Sequence, residues 1–307
     1  MRRLAPPTHL VGWLALLGLA CHGAAPRPGG GAARPLVLSD DAGRTVRLAA
    51  PAQRVVSLAP SITELLFALG AGNGVVGRTV FCKYPPAALQ VPTVGDGLNP
   101  NVEAIVARHP DLVLLYRSPH TDAAAQQLAA LGVPTLVVRH DRLTDIARTA
   151  RLLGRATGRD ASGEGVGRRI DSLLASPLPP VRARIAYVVW DSPPIVIGAG
   201  SFLDELARLA GAENVFHDIA TPSATVSIET IVARDPDWIA VVQDSAGDEL
   251  PGWSRRPEWR SVRAVHDGHF LLLPADLFGQ PSARAPEAIA RLRDMLSHSP
   301  PATSHSR

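Results

Sequence analysis

Two carboxylates stand in matching surroundings in this chain. Glu103 lies in NVEAIVARHPDLVLL and Glu229, 126 positions later, lies in SIETIVARDPDWIAV; seven of the fifteen positions coincide. A single glutamate in the first turn of a helix is accounted for by the helix macrodipole, which contributes about 0.3–1 kcal/mol. Two at equivalent places read as one exposed acidic knob on each of two similar units. Such a pair suits a two-fold symmetric partner with a basic pocket on each half. Another group of residues offers flat apolar surface. Phe, Tyr and Trp make up 5% of the chain, yet Phe81, Tyr116, Trp190 and Phe278 all fall just beyond predicted strands, where open parallel sheets bind ligands. Rings facing a gap suit a large, planar, partly apolar ligand, each good contact adding about 1 kcal/mol beyond burial. Arg117 and Asp276 are the candidate polar contacts beside them.

Signals for catalysis are sparse. No G-x-S-x-G, P-loop or H-E-x-x-H pattern occurs, so the usual nucleophile elbow, phosphate cradle and zinc-protease pair are missing. His266 and His269 sit in a turn-like VHDGH segment without a partnering cluster and read as surface histidines. Cys82, beside Phe81, is either a small buried apolar residue or a ligand to a metal carried by the bound compound. An enzyme such as a tetrapyrrole chelatase needs a His and a carboxylate converging in the cleft, and His140 with Asp191 is the one pair to nominate. No catalytic residue, cofactor or resident metal is assigned.

The elements that must hold these residues are duplicated as well. Each glutamate starts a predicted helix that leads through a Pro-Asp pair (Pro110 and Asp111, then Pro236 and Asp237) into an apolar strand, the αβ step of a parallel sheet. Upstream, SITELLFALGAGNGVVG from Ser61 matches SFLDELARLAGAENVFH from Ser201. Both read as helix starts capped by Ser with a carboxylate three residues on, a capping box clearest in Ser61 and Glu64. Apolar runs precede them at Val55 to Leu58 and Ile185 to Trp190, the second about ten residues removed from its helix. The fold class is therefore α/β, with two Rossmann-like lobes of parallel sheet and a ligand cleft between them. The N-terminal lobe covers 35–140 and opens with a hairpin at Leu36 to Leu48. The C-terminal lobe covers 178–297. Between them 141–177 has helical spacing of Ile146, Ala150, Leu153, Ile170 and Leu173. Gly158, Gly163, Gly165 and Gly167 leave either two helices or a kinked one open, acting as a strut.

The chain has 307 residues, enough for two separate cores, and a formal net charge of +3. Its basic residues are nearly all arginine, scattered among Asp and Glu with no basic block, which argues against nucleic-acid binding. Arg2 and Arg3 precede an apolar stretch from Leu10 to Ala20 that is too short to span a bilayer and has the layout of a secretory signal. It ends at Cys21, read as a lipidation site that tethers the protein outside the cytoplasmic membrane, with ordinary cleavage near Ala24 or Ala25 as the alternative; on the first reading 1–21 is the signal segment and membrane contact is through the anchor alone. Residues 22–34, rich in Gly, Pro and Ala, read as a flexible linker, and 298–307 as a disordered tail. With Cys21 removed or lipidated, only Cys82 remains, so no internal disulfide is expected.

RVVSLAPSITELLFALGA, the Tyr84-Pro85-Pro86 loop, NPNVEAIVARHPDLVLL, GAENVF and SIETIVARDPDWIAV together resemble the substrate-binding proteins of ABC importers for cobalamin and ferric siderophores, over nearly the whole of 36–296. The resemblance implies two lobes joined by a single rigid helix, little hinge motion, and a monomer that carries a small ligand, cobalamin or another corrinoid, to a permease dimer. It implies that Glu103 and Glu229 meet arginines of that dimer. Phe81 and Tyr116 match aromatic positions that line the cobalamin cleft, with Trp190 nearby. Gly97 and Ser223 stand at positions that are tryptophans in the best-known cobalamin binder, which implies a roomier or differently shaped pocket. A ferric siderophore or haem is the alternative ligand, and an anionic siderophore would call for cleft cations such as Arg78, Arg117 or Arg284.

Overall fold

The computed structural model describes residues 35–97, 99–244 and 249–297. The signal segment, Cys21, the linker and the tail read from the sequence lie outside the described residues. The N-terminal lobe begins with the hairpin β1 (Leu36–Ser39) and β2 (Thr45–Leu48). It continues through β3 (Val55–Ser57), α1 (Pro60–Ala68), β4 (Val75–Arg78), α2 (Val102–Val106), β5 (Leu112–Tyr116), α3 (Pro119–Ala130) and β6 (Thr135–Val138). The connector is α4 (Leu143–Thr157) and α5 (Asp160–Leu174). The C-terminal lobe holds β7 (Ala183–Asp191), β8 (Pro194–Ile197), α6 (Phe202–Ala210), β9 (Ala212–Asn214), β10 (Ser223–Thr225), α7 (Ile228–Arg234) and β11 (Trp238–Gln243). It closes with α8 (Arg263–His266), β12 (Phe270–Pro274), α9 (Ala275–Phe278) and α10 (Ala285–Ser297).

The duplication holds at the level of strand order. The first lobe has parallel strands in the order β4-β3-β5-β6, and the second has β9-β7-β11-β12, also parallel, so each runs second-first-third-fourth. The repeated Pro-Asp pair has a specific task. Asp111 accepts from the backbone N–H groups of Gln53 and Arg54 at 2.9 and 3.0 Å, and Asp237 accepts from that of Arg184 at 2.9 Å. Each aspartate thus pins the start of its lobe's third strand to the start of the first. His109 and Asp235, also equivalent, both take the left-handed conformation, with φ of 49° and 43°, where α2 and α7 turn into their strands.

Where the lobes differ, the sequence left a clue. The excess residues between the second apolar run and its helix form an antiparallel addition: β7 outruns its parallel neighbours, folds back as β8, and β8 pairs with β10. The second sheet is therefore mixed, not wholly parallel. The capping box expected at Ser61 is absent. Pro60 starts α1 with its ring-fixed φ, Ala59 takes the cap position, and Glu64 turns into the interior instead. In the other copy Ser201 does cap, its hydroxyl accepting from the Leu203 N–H at 3.2 Å, while Asp204 bonds Asn214 and His217.

Of the two arrangements its glycines allowed, the connector adopts a pair of helices, in place of the single helix the resemblance implied. Gly158, left-handed at φ 68°, turns the chain between α4 and α5, a conformation that costs a β-carbon-bearing residue far more. Arg151 on α4 reaches both Glu164 at 2.9 Å and Asp171 at 2.6 Å on α5, so the helices lie antiparallel. The pair is shared between two cores. Ala150, Leu153, Ala156 and Val166 pack into the N-terminal lobe, whereas Leu143, Ile146, Ala147 and Ile170 pack into the C-terminal lobe. Glu205 of α6 completes the junction, accepting from the Leu143 N–H and the Arg142 side chain, both at 2.8 Å.

On the cleft side the lobes are tied by a buried ion pair. Arg284 donates to both carboxylate oxygens of Glu64 at 2.9 and 3.3 Å, stacks over the Tyr84 ring with 3.7 Å to its centroid, and donates to the Asp276 carbonyl. Its side chain is 14% exposed and that of Glu64 is 3% exposed. Removing one partner of such a pair strands a buried charge, so Arg284→Met is expected to destabilise the protein by about 3–5 kcal/mol. The double variant Glu64→Leu, Arg284→Met should recover most of that loss. Urea unfolding of the three proteins measures this, and equal stability of the single and double variants would show the pair to be uncoupled.

Candidate functional site

The carboxyl ends of the parallel strands face a cleft of about 560 Å3 between the lobes. The N-terminal lobe contributes Leu58 to Ser61 after β3, Phe81, Gly97, Tyr116 at the end of β5, and His140 with Asp141 after β6; the C-terminal lobe contributes Gly200 to Phe202, Pro222 and Gly279 to Pro281. A second hollow of about 720 Å3 adjoins it, sharing Pro60, Phe81, Gly279 and Gln280. Its other walls include Lys83, Tyr84, Gln243, Asp244, Asp276 and Arg291.

Two of the four aromatic residues singled out from the sequence line this space. Phe81 is 55% exposed on its loop. What holds the loop is Cys82, fully buried behind it, whose sulfur lies 3.0 Å from the Thr63 hydroxyl and 3.1 Å from that of Thr79. The thiol is therefore an anchor in the core, away from any ligand metal in the cleft. Tyr116 donates its hydroxyl to Asp141 at 2.5 Å. Burial, and then the hydrogen bond and charge of Asp141, push its pKa up to about 12, so the ring stays a neutral phenol.

The other aromatic candidates sit elsewhere. Phe278 is 0% exposed, turned by the short helix α9 into the C-terminal core among residues such as Leu277 and Ala285. It offers the cleft no surface. Trp190 stands on the extension of β7, 59% exposed, with its indole N–H bonded to the Ser192 carbonyl at 3.0 Å, and lines neither hollow. Arg117 is exposed and also outside both. Asp276 lines the second hollow, 3.7 Å from Arg284. Arg78 is buried, its guanidinium bonded to the carbonyls of Val91, Thr79 and Leu89, and Arg284 is committed to Glu64, so neither is a cleft cation. Gly97 is left-handed at φ +87°, and a β-carbon there would come within 2.6 Å of the Leu58 carbonyl oxygen.

The twin glutamates are both exposed, in the first turns of α2 and α7, behind Asn101 and Ser227 as caps. The arginines that close each repeat show which way the helices point. Arg54 bonds the carbonyls of Arg108 and His109, and Arg184 bonds that of Asp235, so both helices end near the starts of the strands. Their first turns, with Glu103 and Glu229, therefore lie toward the cleft end of each lobe. Hydrogen bonds from its own backbone N–H and from Ser227 hold the Glu229 carboxyl below its usual range.

No pairing of His140 with Asp191 occurs. Asp191 bonds Arg256 at 2.6 Å, while both ring nitrogens of His140 are buried without a hydrogen-bond partner. His266 bonds its neighbour Asp267 and His269 stacks on Trp238. Among the described residues no group of three or more His, Cys, Asp or Glu is placed to hold a metal ion.

Burial drives the His140 pKa down to about 4, opposed by Asp145 and Asp41 and assisted by Arg148. The folded state thus keeps the ring neutral while the unfolded chain binds a proton below pH about 6.5. Stability from this group is full above that pH and is lost as pH falls toward 4, by up to about 3 kcal/mol. His140→Phe is expected to flatten that part of the pH dependence. Unfolding midpoints at pH 7, 5.5 and 4.5, as rough choices spanning the window, check it; an unchanged slope would assign the acid sensitivity elsewhere.

Residues 55–277 match the periplasmic binding protein family. A vitamin B12-binding protein of Vibrio parahaemolyticus is 27% identical over 244 residues, covering 78% of this chain and 87% of the relative. Among solved structures, the periplasmic vitamin B12 binding protein of Vibrio cholerae superposes with a TM-score of 0.66 at 25% identity, covering 80% of this chain and 97% of that one. A periplasmic haem-binding protein from Roseiflexus gives 0.68 at 23% identity, covering 80% and 97%, a likeness of fold. The duplicated lobes, the solvent-facing cleft and these matches lead to one conclusion: the chain belongs to the periplasmic binding protein family and is a substrate-binding protein of the ABC importer type, not an enzyme.

Proposed function

We propose that this protein captures cobalamin, or a closely related corrinoid, in the interlobe cleft and delivers it to a dimeric ABC permease. The observation that carries the reading is the combination of an apolar cleft walled by Phe81 and Tyr116 with one exposed glutamate at the cleft end of each lobe. A planar macrocycle gains dispersion and ring contacts on such walls. The paired carboxylates, Glu103 and Glu229, fit a two-fold permease that presents a cation to each. The names of the two Vibrio relatives support the ligand. Lipidation of Cys21 would hold the protein, as a monomer, at the outer side of the cytoplasmic membrane. Trp190, Arg117 and Asp276 remain proposed contacts of a ligand that projects beyond the cleft.

Haem is the second reading, favoured by the shared fold of the Roseiflexus protein. An anionic ferric siderophore is disfavoured, since Arg78 and Arg284 are committed to internal bonds.

Calorimetric titration with cyanocobalamin tests the ligand, and absence of binding at roughly 50 µM removes cobalamin. Phe81→Ala and Tyr116→Ala are each expected to weaken binding about fivefold, the loss of one ring contact. The pair Glu103→Ala, Glu229→Ala should leave that affinity unchanged while abolishing stimulation of the permease ATPase in proteoliposomes. Full stimulation by the double variant would place docking elsewhere.

A further inference from the structure

We infer that the second hollow is a subsite for a single anionic group of the ligand, held by Lys83. The inference rests on the interlobe cleft being the ligand site. The two hollows meet at Pro60, Phe81, Gly279 and Gln280, so a ligand lying against Phe81 borders both. Their walls differ in chemistry: the first has Asp96 and Asp141 but no lysine or arginine, whereas the second presents Lys83 and Arg291 beside Gln243 and two aspartates.

Of the basic residues on or near the two hollows, Lys83 is the one left available. Arg78 and Arg284 are consumed inside the fold, Arg117 lies off both hollows, and Arg291 is 3.5 Å from Asp294. Lys83 is exposed and has no ion pair within 4.0 Å among the described residues. It is also the only lysine in the chain; every other basic position, histidine aside, is arginine. A compact ammonium on a flexible stem adapts to one oxyanion without the fixed fork of a guanidinium. Its backbone is held in place, because the Lys83 N–H bonds the Phe81 carbonyl at 2.9 Å and the Cys82 side chain is anchored in the core. The same loop thus presents a ring to one hollow and a cation to the other.

The facing lobe sets the charge. Asp244 and Asp276 line the same hollow, and among the described residues only Asp276 has a cation within 4.0 Å, Arg284 at 3.7 Å. One negative group on the Lys83 side is matched, and a second would meet carboxylates. The ligand class that follows is amphipathic: a broad apolar face with one phosphodiester or carboxylate arm.

Two probe pairs separate the sources of that charge. Cyanocobalamin carries a phosphodiester that dicyanocobinamide lacks, and haemin carries carboxylates that its dimethyl ester masks. Affinities of the full chain, Lys83→Met and Lys83→Arg are measured for all four. For whichever charged probe the wild type binds, Lys83→Met should weaken binding about tenfold and Lys83→Arg should restore most of it. The uncharged counterpart should bind wild type and Lys83→Met alike. Equal affinity of wild type and Lys83→Met for the charged probe, or equal loss with the uncharged one, overturns the subsite and leaves the cleft assignment standing. Failure of the wild type to bind any of the four overturns both.

Discussion

The buried pair of Arg284 and Glu64 is the constraint on which the cleft depends. Two residues 220 positions apart meet across the lobes, and the guanidinium has no spare direction: carboxylate on one edge, a carbonyl on another, the Tyr84 ring against its face. Desolvating two charges offsets most of what their attraction contributes, so the pair adds little net stability. It adds geometry. With the shared α4–α5 pair on one side and this tie on the other, the lobes are held at two separated places, which limits how far the gap between them can open.

The walls of that gap set its chemistry. The Tyr116 hydroxyl is satisfied from within by Asp141. His140 has no hydrogen-bond partner, and burial keeps its ring neutral. The site is built to present surface, as capture and release require.

Much of the architecture could be read from the sequence because duplication exposes what each repeat conserves physically. The recurrent Pro-Asp was legible as the step from helix into strand. The tie its carboxylate makes between two strand starts, and the carbonyl bonds of Arg54 and Arg184 at the helix ends, became visible only in three dimensions. The tie between Glu64 and Arg284 leaves no trace in the repeats, since nothing local distinguishes a glutamate that caps a helix from one that crosses a cleft. Phe278 failed for a similar reason. Its place after a strand was legible, but the direction of its ring depended on one turn of helix. Cys82 needed its two hydroxyl neighbours in view before its role as an anchor was visible. The antiparallel addition to the second sheet was present only as unexplained length.

Gly97 limits what this wall of the pocket can become. The resemblance implied a large ring at this position, and here the backbone takes a left-handed path, with a neighbouring carbonyl 2.6 Å from where the first carbon of a side chain would go. A tryptophan grafted at 97 would have to displace its own segment before it could reach a ligand. Reshaping of this wall therefore falls to the side chains around it.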